Sequence, residues 1–486
     1  MKKKTPRKLK KDKPEVRKRI ISSGSGTAVP LQVTKSVHPG YEKIIPGKVS
    51  PAVKPTMTEE FLRFVWQYRL FDNRNLTTSD GDPVEIFRPG DSNTDSGPDF
   101  SNARIRIGQT TWAGNVEIHV NASDWLKHHH SENPSYKNTI LHVVYKNDRK
   151  VKRNDAELLP ALELKDKFDP NLFHRYTNLV QNKSWIPCER QIRGVDNLII
   201  HQWIDRLSAD RLERRTLFIT QTLEDTSNNW NESFYRHLAR NFGFKVNSEP
   251  FQVLARSLPL NLVAKHKDNA DHVEALYFGQ AGLLEGEFRD DYPNRLKKEY
   301  DFLRQKYGLR PIPAGAVQWK FMRLRPFNFP TVRIAQFSNL MMRSSNLFPR
   351  ILEANDLREL STLFDITASP YWNNHFIFDT IAPGREKRLG TGAANNILIN
   401  TAIPFLFVYG KKKQINQLCN KAIDFLSKIP GEENEIIDRW KIAGMPVKNA
   451  FCTQALLELK NEYCDKRKCL SCSIGSRIIR GNRQSS

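Results

Sequence analysis

Two acidic residues and a histidine have the types and spacing of a metal-dependent catalytic site. Asp99 follows Ser96-Gly97-Pro98, a turn sequence in which glycine permits a positive φ and proline restricts its own. Glu117 and His119 lie in a segment whose apolar and polar residues alternate, as in a half-buried strand. Because alternate residues of a strand share a face, we expect Glu117 and His119 side by side, with Asp99 delivered from the neighbouring strand.

Two carboxylates and a nitrogen donor are the minimum set for holding a hard divalent cation such as Mg²⁺ or Mn²⁺. Such an ion is usually held by one or two carboxylates, waters and substrate phosphate oxygens. It lowers the pKa of a bound water and neutralises charge on a phosphate. We therefore expect metal-assisted phosphodiester hydrolysis, with Asp99 and Glu117 as metal ligands and His119 orienting water or phosphate. The alternative is a solvated sheet face on which the two acids pair with Arg104 and Arg106.

A helix and several short strands are expected to position these residues. Ala103, Ile105 and Ile107 alternate with polar residues and predict a strand, and Gly108-Gln109 predicts a hairpin to the strand that carries Glu117. The other predicted elements are a helix at about 58–71 with Thr58 as its N-cap, a strand at 84–87, a helical turn near 123–130 and a strand at 139–145.

Pro98-Asp99, a spacer and Glu117-Ile118-His119 resemble the PD-(D/E)XK signature of the restriction-endonuclease-like nuclease superfamily. The order of predicted elements is similar too, and the resemblance covers residues 57–163. It implies a restriction-endonuclease-like α/β sheet domain that binds a metal ion through Asp99 and Glu117. It also implies a further acidic residue from the first helix, Glu59 or Glu60.

His119 stands where that superfamily usually has a lysine that positions water and offsets charge. A histidine would do so only in part, because its charge depends on pH near neutrality. Two hypotheses therefore stay open: a metal-dependent nuclease, and a non-catalytic nucleic-acid-binding or scaffolding protein with a degenerate nuclease-like domain. A third is a hydrolase of a small phosphoester, which a narrow pocket would favour.

From Met57 onward the chain also resembles an uncharacterised bacterial domain-of-unknown-function family. The resemblance rests on SGPDF, WAGNVEIH, Asp124-Trp125, LHVVY and a cysteine-containing C-terminus. The label carries no established function and therefore implies no mechanism.

Four more histidines follow the predicted catalytic strand. His128, His129 and His130 are adjacent, so we expect at most one of them to join His119 or His142, with surface positions for the rest. His142 lies within a predicted strand and is expected to be a core histidine.

Bulk composition is that of a soluble globular protein. The 486 residues suffice for two or three domains, and 39% are hydrophobic against 27% charged. The longest apolar run, Ile397 to Tyr409, is interrupted by polar residues and too short to span a bilayer. We expect no signal peptide, no membrane partner and a cytoplasmic location, where six cysteines would be core residues or metal ligands.

The net charge of +23 predicts a nucleic-acid partner. Residues 1–19 contribute +9, so the rest of the chain still carries +14. The alternative is a charge that serves solubility alone. Residues 1–56 have no apolar periodicity and predict a disordered basic tail.

The predicted fold class is α+β, with the sheet domain followed by a mainly α-helical domain. Segments 199–223, 233–242, 251–265, 271–278, 294–307 and 332–343 have helical apolar spacing. The predicted divisions are a tail at 1–56, a nuclease-like α/β domain at 57–187, a helical domain at 188–448 and a cysteine-containing segment at 449–486.

Within the helical region, Trp319 to Arg333 interleaves cations with aromatic rings. This mixture holds a sugar-phosphate backbone and stacks on bases, and it predicts nucleic-acid binding by Lys320, Arg323, Arg325 and Arg333. The same mixture also makes a loop that packs by cation–π contacts, so both interpretations stay open.

Cys464, Cys469 and Cys472 could place three thiolates around one metal, with the intervening basic residues favouring their ionised form. If Asn449 to Tyr463 form one helix, Cys452 would lie about 18 Å from Cys464 along it and could not close the same site. The fourth ligand would be Cys188 or Cys419. Zinc and an iron–sulfur cluster both suit these ligands, and the clustering resembles the iron–sulfur sites of some DNA-repair enzymes. Unliganded cysteines in a packed tail are the alternative.

Overall fold

Helix α1 and a sheet of six strands form the part of the chain that carries Asp99 and Glu117. In the computed structural model, residues 56–481 are described except 94, 154–156, 313–317 and 345, so the predicted tail lies outside the described residues but for Thr56. The strands are β1 (Val84–Arg88), β2 (Asp91–Ser92), β3 (Phe100–Ile107), β4 (Thr110–Asn121), β5 (Thr139–Lys146) and β6 (Ala161–Glu163).

The sheet has the order β1-β3-β4-β5-β6, with β2 paired to β3. Strands β1, β3 and β4 are antiparallel, whereas β4, β5 and β6 run parallel. Gly108 joins β3 to β4 with a φ of +59°, which confirms the predicted hairpin. The register of β4 sets Glu117 opposite His142 of β5, so acid and imidazole groups from neighbouring strands lie close together.

Helix α1 (Glu59–Gln67) begins at the predicted N-cap. The Thr58 hydroxyl accepts a hydrogen bond from the Phe61 N–H at 3.3 Å, and Glu59 and Glu60 lie in the first turn, where the helix dipole favours acids. Phe61, Leu62 and other apolar side chains of the helix are buried. This burial fixes the helix on the sheet, so the first turn is held at one edge of the candidate site.

Helices make up most of the remaining chain. They are α2 (Asp124–Lys127), α3 (Pro170–Gln181), α4 (Asn197–Asp225), α5 (Trp230–Phe242), α6 (Ser248–Ser257), α7 (Leu260–Ala264), α8 (Ala270–Gln280), α9 (Asp291–Tyr307), α10 (Pro330–Arg343), α11 (Leu347–Glu353), α12 (Leu357–Thr362), α13 (Thr391–Ile397), α14 (Ile403–Lys412), α15 (Asn416–Lys428), α16 (Glu435–Ile442), α17 (Ala450–Glu458) and α18 (Ser473–Arg480). A short two-stranded sheet pairs β7 (His375–Ile377) with β8 (Thr380–Ile381). The prediction of a mixed α/β chain is confirmed.

Two predicted helices differ from the structure at identifiable residues. The helix predicted at 251–265 is divided into α6 and α7 at Pro259, because a proline disfavours helical backbone in the residue before it. The helix predicted from Asn449 to Tyr463 is α17 followed by a π-helical segment, Leu459–Cys464.

Buried side chains form two large clusters that α4 connects. Ile200 to Leu207 pack with the sheet and α1, together with Trp440, Leu456 and the C-terminal residues up to Ile479. Leu212 to Leu223 of the same helix pack with the other helices. The C-terminal residues therefore share their hydrophobic core with the sheet that carries the candidate site.

One stretch of the described residues, Thr391–Lys412, has the length and hydropathy of a membrane-spanning helix. It comprises α13, the π-helical segment Leu398–Ala402 and α14. Its 22 residues extend beyond the apolar run from Ile397 to Tyr409 at both ends. Leu398, Phe405 and Leu406 are fully buried in the larger core, so this stretch packs as a core helix.

Candidate metal centre

Asp99 and Glu117 lie side by side and are connected through backbone hydrogen bonds. Gly97 has a φ of +108°, so the predicted turn delivers Asp99 to the start of β3. The Asp99 N–H donates to Glu117 Oε2 at 2.9 Å, and the Ile118 N–H donates to Asp99 Oδ2 at 3.1 Å. One oxygen of each carboxylate therefore accepts a hydrogen bond from the backbone of the segment that carries the other acid.

The arginines of β3 do not neutralise this pair. Arg106 pairs with Glu85 of β1, and the Arg104 guanidinium lies 5.8 Å from the Phe87 ring centre. Arg63 of α1 contacts Asp99 Oδ1 instead, at 3.1 Å. The solvated sheet face with Arg104 and Arg106 is therefore not the arrangement observed.

Burial and the neighbouring Glu117 carboxylate raise the pKa of Asp99 to about 7, and Arg63 offsets part of this rise. Arg63 also donates to the Asn93 carbonyl at 2.6 Å, which fixes its guanidinium beside Asp99. One third of the Arg63 side chain remains exposed, so a charged group in solution can reach it.

Three histidines converge next to Glu117. His119, His128 and His130 each place a ring nitrogen within 4.8 Å of the other two. His119 Nε2 lies 3.1 Å from His128 Nδ1 and 3.6 Å from Glu117 Oε1. His130 Nε2 lies 3.4 Å from the same Glu117 oxygen. Glu117 Oε1 therefore faces two of the three imidazoles.

The expectation that at most one of the adjacent histidines joins His119 is wrong, because two of them do. His129 adopts a left-handed backbone conformation with a φ of +57°. This turn projects the exposed His129 side chain away while His128 and His130 both reach His119. A non-glycine residue seldom adopts this conformation, so the spacing of three adjacent histidines gives no indication of it.

His119 is deeply buried and uncharged. Burial, followed by His142, His130 and His128, lowers its pKa to about 2. It therefore does not supply a pH-dependent positive charge in place of a lysine. A neutral imidazole has a free lone pair on one nitrogen, which is the form that binds metals.

His142 is buried in the adjacent strand β5, as expected of a core histidine, and it also contacts the histidine cluster. His119 Nδ1 and His142 Nε2 are 2.8 Å apart. If His119 presents Nε2 to a metal, Nδ1 carries the proton and donates a hydrogen bond to His142 Nε2. Such a second hydrogen bond typically orients a metal-binding histidine.

Aromatic rings fix His130 in its position. The Tyr136 ring stacks on His130 with centroids 3.9 Å apart, and Trp125 packs edge-on at 5.3 Å. The Trp125 N–H donates to Ser131 Oγ at 2.9 Å. These contacts restrict the position and orientation of the His130 imidazole.

The two acidic residues in the first turn of α1, Glu59 and Glu60, have different neighbours. Glu59 interacts electrostatically with His128, Glu117 and His130, and burial raises its pKa. Glu60 instead acts on Tyr176 and Cys469. Of the two candidates in the first helix, Glu59 is the one beside the cluster.

The donor set fits a divalent transition metal. Tetrahedral zinc–nitrogen and zinc–oxygen bonds near 2.0–2.2 Å imply ligand separations of about 3.3–3.6 Å. The measured separations of 3.1, 3.4 and 3.6 Å lie in or close to this range. His128 is exposed, so the cluster is open to solvent on that side.

The basic aromatic segment at 319–333 combines exposed cations with packed rings. Lys320, Arg323 and Arg325 are exposed. Arg333 is buried, donates to Gln336 Oε1 at 2.9 Å and lies 4.6 Å from the Phe244 ring centre. Burial lowers its pKa to about 10. Arg333 therefore contributes to packing rather than to the exposed surface.

Several rings of this segment pack inside the protein. The Trp319 N–H donates to the Ala281 carbonyl at 3.0 Å, and Phe327 and Phe329 pack edge-on against Phe376. These rings are only partly accessible for stacking on bases, which favours packing as their main role.

The model of one family, a protein of unknown function (DUF2851), matches residues 59–435. The chain belongs to this family, which confirms the expected membership of an uncharacterised family. No curated protein and no solved structure matches the chain. The matched range contains the whole histidine and carboxylate cluster.

Proposed function

We propose that this DUF2851 chain is a metal-dependent hydrolase of nucleic-acid phosphodiesters, with its catalytic centre at Glu117, His119, His128 and His130. The observation that carries the proposal is the convergence of three imidazoles and a carboxylate oxygen at ligand-like separations. The PD-(D/E)XK resemblance supports it, because Asp99 and Glu117 are neighbours on a sheet preceded by α1.

The proposed fold assignment follows from the same elements. Helix α1, antiparallel strands β1, β3 and β4, and parallel strand β5 follow the element order that the resemblance implies. We assign residues 57–187 to a restriction-endonuclease-like domain and the helices after it to a mainly α-helical domain.

The donors favour Mn²⁺ or Zn²⁺ over Mg²⁺. Imidazole suits transition metals, whereas Mg²⁺ prefers carboxylate, carbonyl and water oxygens. A bound ion of this type lowers the pKa of a coordinated water and neutralises charge on the phosphate. Three histidines with Glu117 alongside thus replace the expected pair of carboxylates as the proposed ligand set.

The remaining residues have roles in a hydrolysis. The water oxygen forms a bond to phosphorus, the bond to the leaving sugar oxygen breaks, and that oxygen takes up a proton from solvent water. Asp99 and Glu59 are the carboxylates beside the cluster that can accept the proton of the water. Arg63, fixed beside Asp99 and partly exposed, can bind a phosphate oxygen.

A basic chain provides the means to hold a polymer. The excess of +14 outside the first nineteen residues favours polyanion binding, and Lys320, Arg323 and Arg325 are exposed cations. We leave Arg333 out of this proposed surface because it is buried. All six cysteines are free, which fits the reducing cytoplasm as the proposed location.

The test is cleavage of plasmid, single-stranded DNA and RNA by chelator-treated protein supplied with Mn²⁺, Zn²⁺ or Mg²⁺. We expect cleavage with Mn²⁺ or Zn²⁺ that is lost in Glu117→Ala and His130→Ala and retained in His129→Ala. The three variants lie in one stretch of chain, so His129→Ala controls for damage to the turn. Equal cleavage by all variants would remove the cluster from the mechanism.

A binding function without cleavage is the second candidate. Both oxygens of Asp99 already have partners, Arg63 and the Ile118 N–H, which favours a site that binds without cutting. Salt-sensitive nucleic-acid binding with no cleavage under any metal would support this candidate over the hydrolase.

A further inference from the structure

We propose that Cys188, Cys464, Cys469 and Cys472 together bind an iron–sulfur cluster that holds the C-terminal residues on the sheet-bearing core. This centre is separate from the histidine cluster, and it does not depend on the proposed hydrolase activity. It lies largely outside the range that the family model matches, since three of its four residues follow position 435.

Four different backbone segments bring the cysteines together. Cys188 lies in the turn between α3 and α4, and Cys464 ends the π-helical segment Leu459–Cys464. Cys469 lies in the following loop, and Cys472 is the N-cap of α18. All four side chains are buried in the same hydrophobic cluster as the sheet. A site assembled in this way exists only in the folded chain.

Each of the six pairs among these cysteines interacts electrostatically. Cys188 interacts with Cys469 and Cys472, and Cys464 interacts with all three others. Cys469 interacts with Cys472. Each of the four side chains is at most 8% exposed. Four buried thiols that interact with one another and form no disulfide are a ligand set that suits an iron–sulfur cluster.

Donors around Cys472 are arranged to stabilise a thiolate. The backbone N–H groups of Ile474 and Gly475 and the Trp203 indole N–H face its sulfur. Trp203 is buried, and within the described part of the chain its Nε1 has no nitrogen, oxygen or sulfur acceptor at full hydrogen-bond geometry. A negatively charged sulfur at Cys472 would satisfy this donor. Hydrogen bonds to sulfur also tune iron–sulfur clusters.

The loop between Cys464 and Cys472 is held tightly around the sulfurs. A side chain at Gly475 would place its Cβ 2.3 Å from the Cys469 carbonyl oxygen, so only glycine permits this approach. The Arg467 guanidinium donates to the Asn182 carbonyl at 2.5 Å, next to the turn that carries Cys188. The loop is thereby anchored at the end of α3, and the Arg467 guanidinium places a positive charge near the Cys469 sulfur.

The spread of the sulfurs favours a cluster over a single zinc ion. Four sulfurs at about 2.3 Å from one zinc would lie about 3.8 Å apart. In the described part of the chain, no three of these sulfurs lie within 4.8 Å of one another. A multi-iron cluster attaches its thiolates to different iron atoms and therefore spans a wider set.

The test is iron and acid-labile sulfide analysis of the full chain purified without oxygen, together with its visible absorbance. We expect more than one iron per chain, an equal amount of sulfide, and a broad visible band that dithionite bleaches. Absence of iron, or stoichiometric zinc without sulfide, would overturn the proposal. Because this readout is independent of phosphodiester cleavage, it separates failure of the cluster from failure of the hydrolase.

Cysteine variants identify the ligands. Serine at 188, 464, 469 or 472 should each lower the iron content at least several-fold. Cys419→Ser and Cys452→Ser are the matched controls, since neither sulfur acts on the thiols of the four and both are only partly buried. Circular dichroism of each variant shows whether it folds. A well-folded Cys188→Ser protein with full iron content would contradict the assignment of Cys188, and iron loss confined to the controls would overturn the whole site.

Discussion

Glu117 Oε1 lies 3.4 Å from His130 Nε2, yet the two groups do not form a hydrogen bond. His130 Nε2 is buried and has no hydrogen-bond partner within the described part of the chain. An unsatisfied ring nitrogen next to an anionic oxygen is costly unless a third group satisfies both. A divalent cation between them would do so, and this relationship underlies the proposed centre.

Glu117→Gln is expected to weaken Mn²⁺ binding by roughly 10–100-fold or more. Loss of a group that only hydrogen-bonds to a metal ligand already lowers metal affinity by this factor. The substitution retains the size of the side chain but removes its negative charge. Calorimetric titration of chelator-treated protein measures the change. Glu132→Gln, at an exposed residue near His130, should leave the Kd unchanged. An unchanged Kd in Glu117→Gln would show that Glu117 is not part of the site.

His142 is expected to act on the metal through His119. His142→Leu removes the acceptor for His119 Nδ1 and should lower Mn²⁺ affinity by roughly 10–100-fold. His142→Gln offers an amide oxygen at a similar place and should restore much of the affinity. A purely structural role predicts parallel losses of thermal stability in both variants without rescue of the Kd, and that pattern would contradict the positioning role.

Strand periodicity was sufficient to predict one half of the centre. Glu117 and His119 lie on one face of β4 as expected, and the Gly97-Pro98 turn delivers Asp99 beside them. These are local properties of backbone geometry. The predicted first helix with Thr58 as N-cap is likewise a local feature, and it is confirmed.

The other half depended on tertiary structure. His128 and His130 reach His119 only because His129 adopts a left-handed conformation, which the sequence of three histidines does not indicate. The approach of Cys188 to the C-terminal cysteines likewise arises from packing between distant segments. Arg333 is interleaved with aromatic residues just as Lys320, Arg323 and Arg325 are, so the sequence does not distinguish it from them. It lies in α10, which is buried on nearly all sides, and its guanidinium therefore makes contacts inside the protein.

Glu274 should make the stability of the protein depend on pH. Burial raises the pKa of this carboxyl from 4.5 to about 7 in the folded chain, where Tyr292 donates a hydrogen bond to it at 2.6 Å. Between these pH values the unfolded chain is ionised while the folded chain keeps its proton. The free energy of unfolding therefore falls as pH rises from 4.5 to 7, by about 3 kcal/mol from this group, and then levels off.

Glu274→Gln should remove this pH dependence. Urea denaturation at pH 5 and pH 7.5 is expected to show a smaller loss of stability in the variant than in the unaltered chain. Glu287→Gln, at an exposed residue, is the control. A loss of the same size in Glu274→Gln would mean that Glu274 ionises normally in the folded protein.

The exposed cations at 320–325 should set part of the salt dependence of nucleic-acid binding. Replacing Lys320, Arg323 and Arg325 with alanine is expected to reduce the slope of log K against log salt by about 0.7–0.9 per lost phosphate contact. Thermal stability should change little because these side chains are exposed. Arg333→Gln should do the opposite, lowering stability through loss of its buried hydrogen bonds while leaving the slope unchanged. An unchanged slope in the triple variant would remove this segment from the binding surface.

Mn²⁺ stoichiometry tests the central claim most directly. Mn²⁺ prefers nitrogen and oxygen ligands and does not suit thiolates, so it reports on the histidine cluster rather than on the cysteines. After chelation and reloading, the unaltered chain and His129→Ala should each bind one Mn²⁺ with the same Kd, whereas His128→Ala and His130→Ala should lose that binding. Equal Mn²⁺ binding in all four proteins, or none in the unaltered chain, would contradict the account.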